Sequence, residues 1–95
     1  MPIVTVRYWA AAKHAAGVAE EKISAQTLAE ALTAVLAQRR DQAGSGPGGG
    51  AQALQAVLAR SSFLVNGDPV GGRATAAVAL PEAAVIEVLP PFAGG

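Results

Sequence analysis

The chain contains no cysteine. Disulfides, thiolate metal sites and thiol nucleophiles are therefore excluded together, and any sulfur chemistry must use sulfur brought from elsewhere. It has one histidine, His14, and no other candidate ligands cluster with it, so no metal site is expected. Seven basic and seven acidic side chains cancel. The basic stripe of a nucleic-acid binder is missing, which argues against nucleic acid as a partner. No apolar run approaches the roughly 18–20 residues of a membrane span. The opening Met-Pro-Ile-Val-Thr-Val lacks the charged region and cleavage site of a secretion signal. The expectation is a cytoplasmic protein without membrane association. The only dense basic pair, Arg39-Arg40 beside Asp41, reads as a solvated helix end.

What is present suits one small domain. Ninety-five residues and a hydrophobic fraction of 52% support a modest single core. Much of that fraction is alanine, so the core must come from the larger apolar side chains. Ile3 to Trp9 alternates, with Val4, Val6 and Tyr8 on one face, and predicts a strand. Ala10 to Ala16 predicts two helical turns, stopped by Gly17 in a left-handed cap. Val18 to Ser24 predicts a weakly patterned strand anchored by Ile23. Thr27 and Glu30 form a capping box, after which Leu28, Ala31, Leu32, Val35 and Leu36 make one apolar stripe.

Gly44 to Gly50 reads as a flexible loop, and Ala51 to Arg60 as a shorter helix carrying Leu54, Val57 and Leu58 on one side. Phe63 to Val65 predicts a strand, Asn66-Gly67 a tight turn, and Pro69-Val70 a short return. In the last strand, Ala84 to Leu89, Ile86 and Val88 share one face while Val85, Glu87 and Leu89 share the other. Pro90-Pro91 ends pairing, because neither can donate a ladder hydrogen bond. This order predicts an α+β roll, a mixed sheet packed on one main helix plus a short second helix, with the first and last strands as parallel neighbours.

Catalytic motifs do not survive their context. Gly44-x-Gly46-x-x-Gly49 matches a dinucleotide fingerprint only formally, since it follows a helix rather than a strand. Ser61 and Ser62 lack a nucleophile-elbow sequence and read as polar residues at a strand start. His14 falls in the last turn of a short helix, where a surface role is expected. Trp9, Pro69, Val85 and Leu89 fall on or near the sheet face turned away from the helix, where clustering would mark a partner-binding patch.

The most informative feature is the ending Pro90-Pro91-Phe92-Ala93-Gly94-Gly95. Glycine has no Cβ, so a diglycine end is narrow and its carboxylate is the least hindered acyl group a protein offers. Gly71-Gly72 is the same dipeptide inside the chain, without a free carboxylate, and reads as loop punctuation. Six extended residues at about 3.3 Å each reach roughly 20 Å, enough to pass from a docking surface into a partner's pocket.

The strand Val-Thr-Val-Arg-Tyr-Trp-Ala, the Thr27-Leu28 helix start, the Val65-Asn66 strand end and above all Pro-Pro-x-x-Gly-Gly resemble the ubiquitin-like sulfur carriers. Within them the chain is most similar to the MoaD family, the small subunit of molybdopterin synthase. The resemblance covers essentially the whole chain. The Gly-rich segment at 44–50 departs from shorter members.

The resemblance implies a ubiquitin-like β-grasp domain over residues 1–89 and a flexible tail over 90–95. It implies a non-catalytic carrier that binds no cofactor itself. An E1-like adenylyltransferase (MoeB- or ThiF-like) would use ATP and Mg²⁺ to adenylate Gly95, and a sulfur donor would convert it to a thiocarboxylate. Docked on the MoaE-like large subunit, the carrier would give sulfur to a cyclic pyranopterin precursor. Gly94, Ala93, Phe92, Pro91 and Pro90 would occupy the partner's channel, and Leu89, Pro69, Val70 and Trp9 would form the partner interface. The same tail chemistry also serves thiamin thiazole and cysteine synthesis. A ubiquitin-like interaction module without acyl chemistry, and conjugation to protein lysines, are further alternatives.

Overall fold

The computed structural model describes residues 2–41 and 51–91. The Gly-rich segment at 44–50 and the tail residues Phe92 to Gly95 lie outside the described residues. The chain runs through strand β1 (Ile3–Tyr8), helix α1 (Ala10–Ala16), strand β2 (Glu20–Ser24) and helix α2 (Leu28–Asp41). Helix α3 (Ala51–Arg60), strand β3 (Ser62–Val65), the two-residue strand β4 (Asp68–Pro69), a 3-10 turn (Thr75–Ala77) and strand β5 (Val85–Leu89) follow.

The five strands form one mixed sheet in the order β2-β1-β5-β3-β4. β1 and β5 are parallel neighbours, as the element order predicts, and the other neighbours are antiparallel. One face is the core face. Val4, Val6, Tyr8, Ile23, Val65, Ile86 and Val88 are buried there. The helices cover this face with Ala12 and Ala15 from α1, Leu28, Ala31 and Val35 from α2, and Leu54 and Leu58 from α3. Each fully buried Val, Leu or Ile contributes about 1.5–3 kcal/mol relative to exposure. Leu32, Leu36, Val57 and Phe63 pack against the cluster from its margin.

Local chemistry sets the ends of the elements. Gly17 takes φ 80° and its N–H donates to the Lys13 carbonyl at 3.0 Å, closing α1 as expected. Thr27 Oγ1 accepts the Glu30 N–H at 3.2 Å, but the Glu30 carboxylate accepts from the Gln26 N–H at 2.9 Å, one residue before the amide a capping box predicts. The reason is tertiary. The Leu28 N–H donates to Val78 and the Leu80 N–H to Gln26, so the helix entry is held by the 78–80 segment. Asn66 and Gly67 both have positive φ, 51° and 86°, the conformation of a type I′ hairpin turn.

Two expectations are corrected. β2 begins at Glu20 rather than Val18, which is 41% exposed in the turn after Gly17. Arg39 is not at a solvated helix end: it is 6% exposed and ion-paired to Glu21 at 2.7 Å. Its Nη2 also donates to the Ala16 carbonyl at 2.9 Å, and its guanidinium lies 5.8 Å from the centre of the Tyr8 ring. Register explains the pair. Glu21 faces Val6, so its carboxylate is on the core side of an edge strand and requires partners there. Tyr8 supplies a second one, its hydroxyl donating to Glu21.

Candidate functional site

Among the described residues no helix covers the opposite face of the sheet, and strand register lays out its side chains. One row runs Glu20, Arg7, Glu87, Leu64 and Pro69 across all five strands. A second runs Lys22, Thr5 and Val85. A third pairs Leu89 with Ser62, and Trp9, whose backbone stays extended at φ −118° and ψ 148°, continues the alternation of β1 beside them. Leu64, Val85, Glu87 and Leu89 are half-buried, Pro69 is exposed, and Trp9 is 46% exposed. The β5-β3-β4 side of this face gathers Leu64, Pro69, Val85 and Leu89 around Glu87, while its β1-β2 side carries Thr5, Arg7, Glu20 and Lys22.

The tail leaves from the end of β5, the middle strand of the sheet. Val88 is held between Tyr8 of β1 and Phe63 of β3, and Leu89 is paired with Ser62. The Trp9 N–H donates to the Val88 carbonyl at 3.3 Å. Parallel pairing with β1 is what brings Trp9 to the exit, because the two strands finish at the same end of the sheet. Ala10 then turns the chain sharply with φ 50°, a left-handed conformation that alanine seldom takes. At the other end of β5, Asn66 Oδ1 accepts the Val85 N–H at 2.9 Å.

The predicted interface residues divide. Trp9, Pro69, Val85 and Leu89 share the outer face. Val70 does not, being 4% exposed within the core, where its N–H donates to the Phe63 carbonyl. It follows the two residues of β4, so it turns under the sheet edge. Pro90 is buried and Pro91 exposed, so the packed body extends one residue further than the expected 89/90 boundary. Leu64 was missed: only the register of β3 against β5 shows that it, rather than Phe63, faces outward, although alternation in Ser62–Val65 carried that signal.

Other polar candidates find ordinary roles. Ser61 Oγ donates to the Val57 carbonyl at 2.7 Å, finishing α3. His14 lines a shallow cleft of about 400 Å³ with Ala10, Lys13, Gly17, Val18 and Ala19. Among the described residues no group of three metal-ligating side chains converges, and no helix is long and apolar enough to cross a membrane.

The profile of the ThiS family matches residues 6–95. No curated protein matches the chain. Among solved structures, the small archaeal modifier protein 1 of Methanosarcina acetivorans superposes with a TM-score of 0.76 at 21% identity, covering 100% of this chain and 98% of that one. A candidate molybdopterin converting factor subunit 1 of Pyrococcus furiosus gives 0.65 at 22% identity, covering 97% and 100%. A chain in the complex of subunits 1 and 2 of the molybdopterin-converting factor of Helicobacter pylori gives 0.63 at 24% identity, covering 98% and 99%. At these identities the structures show a shared β-grasp fold, and the family match supplies the rest. The chain belongs to the ThiS family of ubiquitin-like sulfur carriers.

Proposed function

We propose that this chain is the sulfur-carrying small subunit of a molybdopterin synthase, with the Gly95 carboxylate as its reactive group. The carrying observation is a family match that runs through Pro90-Pro91 and Gly94-Gly95, attached to a central strand whose end is pinned on both sides. The likeness to two molybdopterin-converting-factor chains supports the choice of acceptor.

In this reading an activating partner transfers AMP from ATP to Gly95 and releases pyrophosphate. Hydrosulfide released by a donor attacks the mixed anhydride at its acyl carbon, the bond to AMP breaks, AMP leaves, and a thiocarboxylate remains. On the large subunit the terminal sulfur bonds to a carbon of the pterin precursor as a carbon–oxygen bond there breaks and the oxygen leaves. Water then cleaves the acyl carbon–sulfur bond and regenerates the carboxylate. A dithiolene has two sulfurs, so two carriers serve each product.

The chain's own contribution is mechanical. Pro90 is packed into the body and Pro91 restricts the first exposed step, which lowers the entropy lost when the tail enters a channel. The outer face of Trp9, Leu64, Pro69, Val85 and Leu89 supplies the docking surface.

Incubation with the cognate activating enzyme, ATP, Mg²⁺ and a sulfide source should add the mass of one oxygen-to-sulfur exchange, and deleting Gly95 should abolish it. The charged carrier, mixed with the cognate large subunit and precursor, should then form the dithiolene. Failure of the exchange overturns carrier chemistry. Exchange without dithiolene transfers the reading to thiamin thiazole or cysteine synthesis. The likeness to small archaeal modifier protein 1 favours one second reading, attachment of Gly95 to protein amines, which isopeptide-linked adducts in the same assay would establish.

A further inference from the structure

Glu87 stands at the centre of the outer face. Its register neighbours are Arg7 on β1 and Leu64 on β3, with Val85 and Leu89 two residues away on its own strand. The Arg7 guanidinium is already held by Glu20, Nε to Oε1 at 3.3 Å, so two carboxylates flank one cation. Among the described residues Glu87 makes no ion pair and no side-chain hydrogen bond. The side chain is half-buried before anything docks.

A partner that covers this face removes the remaining water from Glu87. Burying a carboxylate without a counter-charge is strongly unfavourable. A cation brought by the partner to this point, beside Leu64, Val85 and Leu89, answers the charge. A guanidinium suits the position best, because it is weakly hydrated and bonds a carboxylate through two parallel N–H groups. We infer that Glu87 is the specificity-determining residue of the docking face, and that its occupant is a protein surface presenting one arginine, or lysine, among apolar side chains. The inference rests on the proposal that this face docks the carrier's partners.

The test uses calorimetric titration of the full chain against the cognate large synthase subunit and the cognate activating enzyme, each at low and high salt. Wild type is compared with Glu87→Gln, Glu87→Arg and Leu64→Ala, with circular dichroism confirming that each is folded. Glu87→Gln should weaken binding to at least one partner about 10- to 100-fold, Glu87→Arg more, and both should flatten the salt dependence. Leu64→Ala should weaken binding while leaving the salt dependence in place. If Glu87→Gln binds as tightly as wild type while Leu64→Ala binds weakly, the carboxylate is not read and the inference fails, with the docking face intact. If all variants bind alike, the docking face itself is wrong.

Discussion

Glu21 and Glu87 face opposite sides of one sheet, and among the described residues only Glu21 is ion-paired. Glu21 on β2 points to the core side and meets Arg39 and Tyr8, so its charge is answered within the chain. Glu87 on β5 points outward among Val85, Leu89 and Leu64, and its nearest guanidinium is engaged elsewhere. A carboxylate in apolar surroundings needs a partner in either case. On the inner face the need is met by folding. On the outer face it remains open, and the natural place for it to be met is an interface. The contrast separates what holds this molecule together from what it offers to others.

Removing the inner cation should have the largest effect. Arg39→Ala strands Glu21 in the core and should cost about 3–5 kcal/mol in urea unfolding. Replacing the cluster together, as Tyr8→Phe, Glu21→Leu and Arg39→Met, should recover most of that loss, because the desolvated charges leave as a set. A cost below about 1 kcal/mol for Arg39→Ala would place the pair among ordinary surface bridges and dissolve the contrast.

A smaller effect concerns Tyr8. Burial first, then its hydrogen bond to Glu21 and that residue's charge, push the phenol above the usual tyrosine range, against the opposing Arg39 charge. With the folded-state value raised, the unfolded chain loses the phenolic proton first as pH rises. Stability should therefore be level with respect to this group below about pH 10 and fall above it. Tyr8 is the only tyrosine, so the phenolate absorbance band reports it alone. Ionisation of the folded chain near pH 10 would show that the inner cluster does not shield it. Tyr8→Phe should remove the alkaline slope at a cost of about 1 kcal/mol.

The smallest stability effect belongs to the outer face. Leu64→Ala should cost less than about 1 kcal/mol in unfolding yet weaken partner binding measurably. Trp9, the single tryptophan and 46% exposed, should shift its fluorescence to shorter wavelength when a partner covers the face. A large loss of stability with unchanged binding would make Leu64 a packing residue.

Much of this was legible in the chain. Alternation in Ile3 to Trp9 and Ala84 to Leu89, the Gly17 stop, the α2 stripe and the Asn66-Gly67 turn are short-range signals, and the structure bears them out, each strand one residue shorter than expected. The Pro-Pro and Gly-Gly ending carried the family resemblance, because its chemistry lies in the backbone rather than in a fold. Arg39 was misread since a basic residue in a last helical turn is ordinarily solvated, and nothing local says that Glu21 waits on the core side of an edge strand.

Sequence alone thus determined most of the elements and the proposed reactive end. The elements follow from backbone preference and hydrophobic period, which act within a few residues, and the reactive end from its residue types. Tertiary structure alone decided that Val70 and Pro90 are buried and that, among the described residues, Glu21 is ion-paired while Glu87 is not. These points depend on packing between segments far apart along the chain, which no local pattern reports.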